Sequence, residues 1–280
     1  MMIIFDTVTE FVQHYQPTAK YLTDYYASNK KHYEEYFHYH CHHVEKKKQA
    51  AIEKHAVILL DLLRLRHMLY KFIPTIAAQY EKMYTIHFTS DVHLLVGLYG
   101  SNAFTYRQYN PDVAFCLEKM PKHERHLNII IGHEFGHVAH CLYSDKHGIE
   151  WDKIDWVHPI TWLLQEGVAT YLSTKVVQAR LDEYFAFEED PKWLEFAETN
   201  QSTIAQQFFI DLTTHDAAYV WKEWFSINGG QHFQATRLAY YLGYCLVKQL
   251  VDELGEQRTF LLWDKENFHK IMMQTLQKMM

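Results

Sequence analysis

Glycine and proline are scarce in this chain of 280 residues, at 10 and 6. A chain so poor in turn formers does not suit an all-β sandwich or barrel and points to a helix-rich fold. Cysteine is scarce as well. Cys41, Cys116, Cys141 and Cys245 are widely spaced with no Cys-x-x-Cys pair, so they provide no disulfide framework. No uncharged apolar run approaches the roughly 20 residues of a membrane span. The first ten residues carry Asp6 and Glu10 but no basic residue, so they do not read as a signal peptide, and the default location is the cytoplasm. Basic charge is not in excess either: the formal net charge is −7. The longest basic run, Lys46-Lys47-Lys48, follows Glu45 and reads as a solvated helix face, so nucleic acid is not an expected partner.

What the chain does have is apolar and aromatic mass. Hydrophobic residues make up 48% and the 20 tyrosines are conspicuous, enough for a substantial core. The first eighty residues read as helices. Between Val44 and Ile73 apolar residues such as Val57, Leu60, Leu63 and Leu65 recur at helical spacing, and Pro74 should end or bend that segment. Four short strands are expected at 84–88, 93–99, 104–109 and 113–117, with Asn110-Pro111-Asp112 as a turn. After Pro121 the pattern returns to helix, at 127–142, 159–179, about 192–226 and 235–254, the last ending at Gly255. The order of helices, small sheet and more helices is an α+β layout. Residues 1–80 form a helical N-terminal region and 81–280 the main domain, expected to pack as one compact unit.

The segment Ile131-Gly132-His133-Glu134-Phe135-Gly136-His137 contains His-Glu-x-x-His. On a helix this spacing puts both imidazoles on one face, a turn apart, able to share one ion. Zinc accepts neutral imidazole and, at catalytic sites, leaves a position for water whose pKa it lowers from about 15.7 toward about 7. Glu134 can take that proton and later pass it to a leaving amine. With 20 histidines an accidental match has to be weighed, and its bland form is a buried helix with two satisfied histidines. The apolar run Leu127–Ile131 would anchor the helix in a core. Gly136 sits inside the helix at a cost of about 1 kcal/mol relative to alanine, which suggests that the sheet or a substrate approaches it closely.

A third ligand is required. His140 lies a turn further along the helix, out of reach of a shared ion. The metzincin pattern fails, because the positions three and six after His137 hold His140 and Tyr143. Glu166, in Trp162-Leu163-Leu164-Gln165-Glu166-Gly167-Val168-Ala169-Thr170, is the better candidate. It would complete a His₂Glu set from a second helix, with Gly167 and Ala169 removing bulk for close packing. A glutamate within such an apolar segment is costly unless paired or metal-bound; the bland alternative is a helix-surface carboxylate.

His-Glu-x-x-His followed by a helix carrying Glu-Gly-x-Ala resembles the gluzincin metallopeptidases, and more closely a family of predicted zinc-dependent proteases known as DUF2268. The resemblance covers roughly residues 84–254: Leu95-Val96-Gly97, His133–His137, Glu166–Ala169 and Tyr240-Tyr241-Leu242-Gly243-Tyr244. It implies a mostly helical, zincin-like α+β fold with a small sheet beside the zinc helix, and one Zn²⁺ per chain. It also implies an edge strand, from 104–109 or 113–117, that binds an extended peptide by strand addition. The chain departs from thermolysin-like gluzincins in the longer interval from His137 to Glu166, and in holding Thr170 where an acidic residue would orient a zinc-bound imidazole. Asp145, Asp152 and Asp155 are possible substitutes.

A donor should oppose the metal to stabilise the developing oxyanion. Tyr240 and Tyr244 are four apart, with Gly243 allowing close approach; the competing role for each is core packing. Arg237 could bind a substrate carboxylate or carbonyl, although a surface or structural ion pair is the commoner role of an arginine. The run His38-Tyr39-His40-Cys41-His42-His43 could form a second metal site or merely an exposed helix, and His158, before Pro159, should cap or pack. The expected activity is peptide hydrolysis by Glu134-assisted attack of zinc-bound water on a peptide or protein substrate. The rival readings are hydrolysis of a non-peptide amide or ester, a zincin-fold binding or regulatory protein without turnover, and a helical interaction protein without metal.

Overall fold

The computed structural model describes residues 2–280. The chain begins with strand β1 (Ile4–Asp6), then helices α1 (Val8–His14), α2 (Ala19–Ser28) and α3 (Lys30–Glu35), a π-helical turn at Tyr36–His40, and the long α4 (Val44–Tyr84). Strands β2 (Val92–Leu95), β3 (Ala103–Thr105) and β4 (Val113–Cys116) precede α5 (Glu124–Lys146). Then follow α6 (Pro159–Val176), α7 (Leu181–Ala186), α8 (Pro191–Thr199), α9 (Gln201–Thr214), α10 (Ala217–Val220), α11 (Leu238–Leu254), α12 (Glu256–Phe260) and α13 (Phe268–Lys278). The fold is α+β and mostly helical, as the scarcity of turn formers implied. The chain divides into two compact units, Met1–Glu134 and Phe135–Met280, the division falling inside α5. The 1–80 region does not stand apart: it shares its unit with all four strands. Among the described residues, no helix is long and apolar enough to cross a membrane.

In the first unit the sheet order is β1-β2-β4-β3, with β1-β2 and β2-β4 parallel and β3-β4 antiparallel. The expected strand at 84–88 does not form. Tyr84 is the last residue of α4, Thr85 turns the chain in the left-handed region (φ 52), and the place beside β2 is taken by β1 from the N-terminus. The expected strand at 93–99 stops at Leu95, because the next five amides are claimed by side chains. Val96 N–H donates to the Tyr33 phenol (3.0 Å), Leu98 and Gly100 to Tyr36 (2.7 and 3.1 Å), and Gly97 and Tyr99 to the Glu118 carboxylate (2.8 and 3.0 Å). Strand β3 is shorter than expected, ending at Thr105 before a bend at 107–110.

The tyrosines explain much of this unit. Tyr33 also bonds Thr7 and Tyr25, and Tyr26, Tyr33 and Tyr36 pack edge-on or stacked with Phe37. Each phenol adds apolar burial while its hydroxyl satisfies backbone that no strand partner reaches.

Helix α4 runs through Pro74 without ending, so proline costs it one backbone bond rather than its last turns. The apolar spacing at 57, 60 and 63 does not mark its buried face. Val57 and Leu60 are 81% and 83% exposed, and the stripe that packs is Leu62, Leu65, Leu69, Phe72, Ile73, Ile76 and Tyr80. In the second unit the helix expected at 192–226 is broken at Asn200 and at His215–Asp216, where Asp216 caps a new start by accepting the amide of Tyr219, and it closes with a π-helical turn at Trp221–Phe225. Helix α11 ends at Gly255 as expected.

Burial pushes the Glu118 carboxyl up to about 7 from 4.5, despite the amides it accepts. A raised folded-state value means that the native state binds a proton more tightly than the unfolded chain does. Its contribution to stability is therefore full below about pH 4.5 and falls by about 3 kcal/mol as pH rises through 7. Urea unfolding at pH 5 and pH 8 should show wild type losing stability relative to Glu118→Gln over this interval. A constant difference between the two would contradict the assignment.

Candidate metal centre

Helix α5 carries the His-Glu-x-x-His segment in regular helical backbone, so His133 and His137 share a face. Helix α6 opens at His158, whose Nδ1 accepts the Ile160 amide (3.1 Å), with Pro159 at its first position. The two helices meet at backbone contact. A Cβ on Gly136 would lie 2.8 Å from the Ala169 carbonyl oxygen and 3.1 Å from its Cα. On its other side α6 meets α11, where a Cβ on Gly243 would lie 2.6 Å from the carbonyl oxygen of Leu163 and one on Gly167 would strike the Gly243 backbone. Gly136 thus admits a helix, not the sheet, and Gly167 serves α11 while Ala169 serves α5.

Helical phase then places Glu166. At about 100° per residue, Ala169 lies about 60° to one side of Glu166 and Gly167 about 100° to the other, so Glu166 emerges between α5 and α11. There its Oε2 lies 3.6 Å from His137 Nε2. Ligand atoms of His133, His137 and Glu166 all lie within 4.8 Å of one another. Four tetrahedral ligands held at zinc–ligand lengths would stand about 3.4 Å apart, so the set has the donor types of a catalytic zinc site and its His137–Glu166 pair stands close to that spacing. His133 is 3% exposed, and the side chains of His137 and Glu166 are 16% and 14% exposed.

Glu134 faces the sheet. The Thr105 hydroxyl, at the end of the edge strand β3, donates to its Oε2 (2.8 Å). Thr105 is absent from the residues anticipated above. Its only signal in the sequence is its place in a strand, which does not say what the strand faces. The bond fixes one carboxylate oxygen of Glu134 and brings β3, the end strand of the sheet, alongside it.

The remaining candidates are distributed as follows. His140 bonds the Phe260 carbonyl (2.8 Å) and stacks on Trp263 at 4.1 Å; full burial lowers its pKa to about 4, so it stays neutral and structural. Asp145 accepts the Trp151 indole N–H (3.2 Å), while Asp152 and Asp155 are exposed. The His-rich run cannot present His38 and His42 on one helix face: helix ends at His40, Cys41 is extended and His43 is left-handed (φ 56). His40 instead stacks on Phe104 at 3.9 Å.

Helices α6 and α11 run parallel, since Tyr171 and Lys175, beyond Gly167 on α6, both reach Glu256, just beyond the end of α11. With Gly243 facing α6, Tyr240 and Tyr244 project from α11 on the side to which Glu166 projects from α6. Burial raises the Tyr244 pKa, so its phenol keeps the proton that an oxyanion donor must offer. Tyr244 also packs edge-on against Phe185 at 5.6 Å.

No family model, curated protein or solved structure matches this chain.

Gly136→Ala tests the contact on which the ligand set depends. Alanine raises helix propensity by about 1 kcal/mol. The clash with rigid Ala169 backbone, at about 1–3 kcal/mol, should outweigh that gain, giving a net loss of up to about 2 kcal/mol. Denaturant unfolding checks the sign, and chelator competition should show weaker zinc retention. A stabilised variant would contradict the packing argument.

Proposed function

We propose that this protein is a zinc-dependent peptidase with one Zn²⁺ held by His133, His137 and Glu166. The observation that carries the reading is the convergence of two imidazoles and a carboxylate from two helices, with Glu134 fixed beside them by Thr105. A bound zinc ion supplies a Lewis acid that acidifies water and polarises a carbonyl. Glu134 takes the proton from the attacking water and returns it to the leaving amine. Its bond to Thr105 holds one oxygen in place, so the carboxylate enters the reaction already oriented. Tyr244 or Tyr240 donates to the carbonyl oxygen as negative charge develops there.

The edge position of β3 favours a peptide over a small amide or ester. An extended substrate adding to β3 passes Glu134 and pairs with the outward backbone groups of Thr105, those of Ala103 being taken by the Asn102 and Ser101 side chains. The likeness to gluzincin peptidases rests on the motif residues alone and agrees with this reading. Glu134 also argues for turnover over a purely structural zinc site, which has no use for that carboxylate. A cytoplasmic location accords with four cysteines that are all free thiols.

Elemental analysis of the purified protein should find about one zinc per chain, sharply reduced in Glu166→Ala. Zinc in both would remove Glu166 from the ligand set, and none in wild type after zinc is supplied would leave no metalloenzyme. Glu134→Gln should keep its zinc and lose peptide cleavage by a factor of about 10²–10⁴, the usual range for a general base. Undiminished cleavage in that variant would overturn the assignment of the base.

A further inference from the structure

Arg237 carries a charge that the fold does not answer. Among the described residues it makes no ion pair. Its Nη2 donates to the Ala186 carbonyl (3.1 Å), and its guanidinium lies against two rings, Phe187 at 5.4 Å and Tyr240 at 6.0 Å. Its Nε is buried without a hydrogen-bond partner. A buried donor left unsatisfied is costly, the more so when charged. The guanidinium is a planar fork whose parallel N–H groups match a carboxylate.

The backbone around this cation is strained on both sides. Phe187 and Arg237 are both left-handed, each at φ 59, although neither is glycine. Such conformations are costly for residues with side chains and persist where the surrounding structure holds them. The segment leading to Arg237 starts from the π-helical turn at Trp221–Phe225, and such turns are frequent at functional sites.

Arg237 also stands at a useful distance. It is the cap of α11, one turn before Tyr240 and six residues before Gly243, which touches Gly167 beside Glu166. Six helical residues rise about 9 Å. An extended peptide covers that distance in about three residues, at 3.3–3.6 Å each.

We propose that Arg237 is a specificity-determining residue that binds a substrate carboxylate about three residues from the bond to be cleaved. The carboxylate is either the C-terminus of a peptide or an Asp or Glu side chain, and the rings of Phe187 and Tyr240 hold the guanidinium in place to receive it. The proposal rests on the peptidase reading of the metal centre.

The test uses zinc-loaded full-length protein and one peptide mixture in three forms: unmodified, C-terminally amidated, and with every Asp and Glu replaced by Asn and Gln. Cleavage is followed by mass spectrometry, and binding of the same mixtures is measured on Glu134→Gln. Wild type should cleave the unmodified form at least tenfold more efficiently than one of the altered forms, mainly through KM. Which alteration removes the preference tells whether the carboxylate is the C-terminus or a side chain. Arg237→Gln should lose the preference with zinc content unchanged, and Arg237→Lys, which keeps charge without the fork, should retain part of it. Equal cleavage of all three forms by wild type overturns the proposal and leaves the peptidase reading intact, and needs no variant that folds. A preference that survives in Arg237→Gln overturns it equally. Zinc-loaded protein that neither binds nor cleaves any form overturns the peptidase reading, and this proposal with it.

Discussion

Three helices touch at their backbones, and the candidate centre depends on it. Helix α6 presses on α5 where Gly136 faces Ala169, and on α11 where Gly167 faces Gly243. Side chains at these crossings would hold the axes further apart, at the 8–10 Å spacing usual for packed helices. With the bulk removed, a carboxylate on the short arc of α6 between its two neighbours reaches the imidazoles of α5. The glycines have unfavourable helix propensity, and the close packing they permit sets the position of Glu166 relative to His137.

The first unit meets a different constraint. After β2 the chain leaves the sheet while still buried, and a buried amide must find an acceptor. Five consecutive amides find theirs on Tyr33, Tyr36 and Glu118. Tyr33 and Tyr36 thereby fill the core and complete the backbone bonding that a longer strand would have supplied. The edge strand β3 ends at Thr105, whose hydroxyl meets the general-base candidate Glu134.

How far the sequence could be read varied from element to element. The helices around His133 and Glu166 were legible because long apolar runs with proline and glycine at their ends carry strong signals. The strand at 84–88 was misread because β-branched and aromatic residues suit a helix end and a buried coil as well as a strand, and the competing partner, β1, lies more than eighty residues earlier. Val57 and Leu60 looked like core positions and are exposed, because spacing along one helix does not reveal which of its faces another element covers. Arg237 could be read as an ion-paired residue until its surroundings proved to be a carbonyl and two rings.

By itself the sequence determined the helical character, the pairing of His133 with His137 and the placing of Glu134 beside them, since those relations lie within a single turn or two of helix, where spacing alone dictates geometry. Only the tertiary structure decided that Glu166 joins them, that Thr105 holds Glu134 and that Arg237 is left without a counter-charge. Each of these joins residues twenty-nine or more positions apart, or turns on what fails to reach a charge, and helical or strand periodicity carries no information about which distant elements meet.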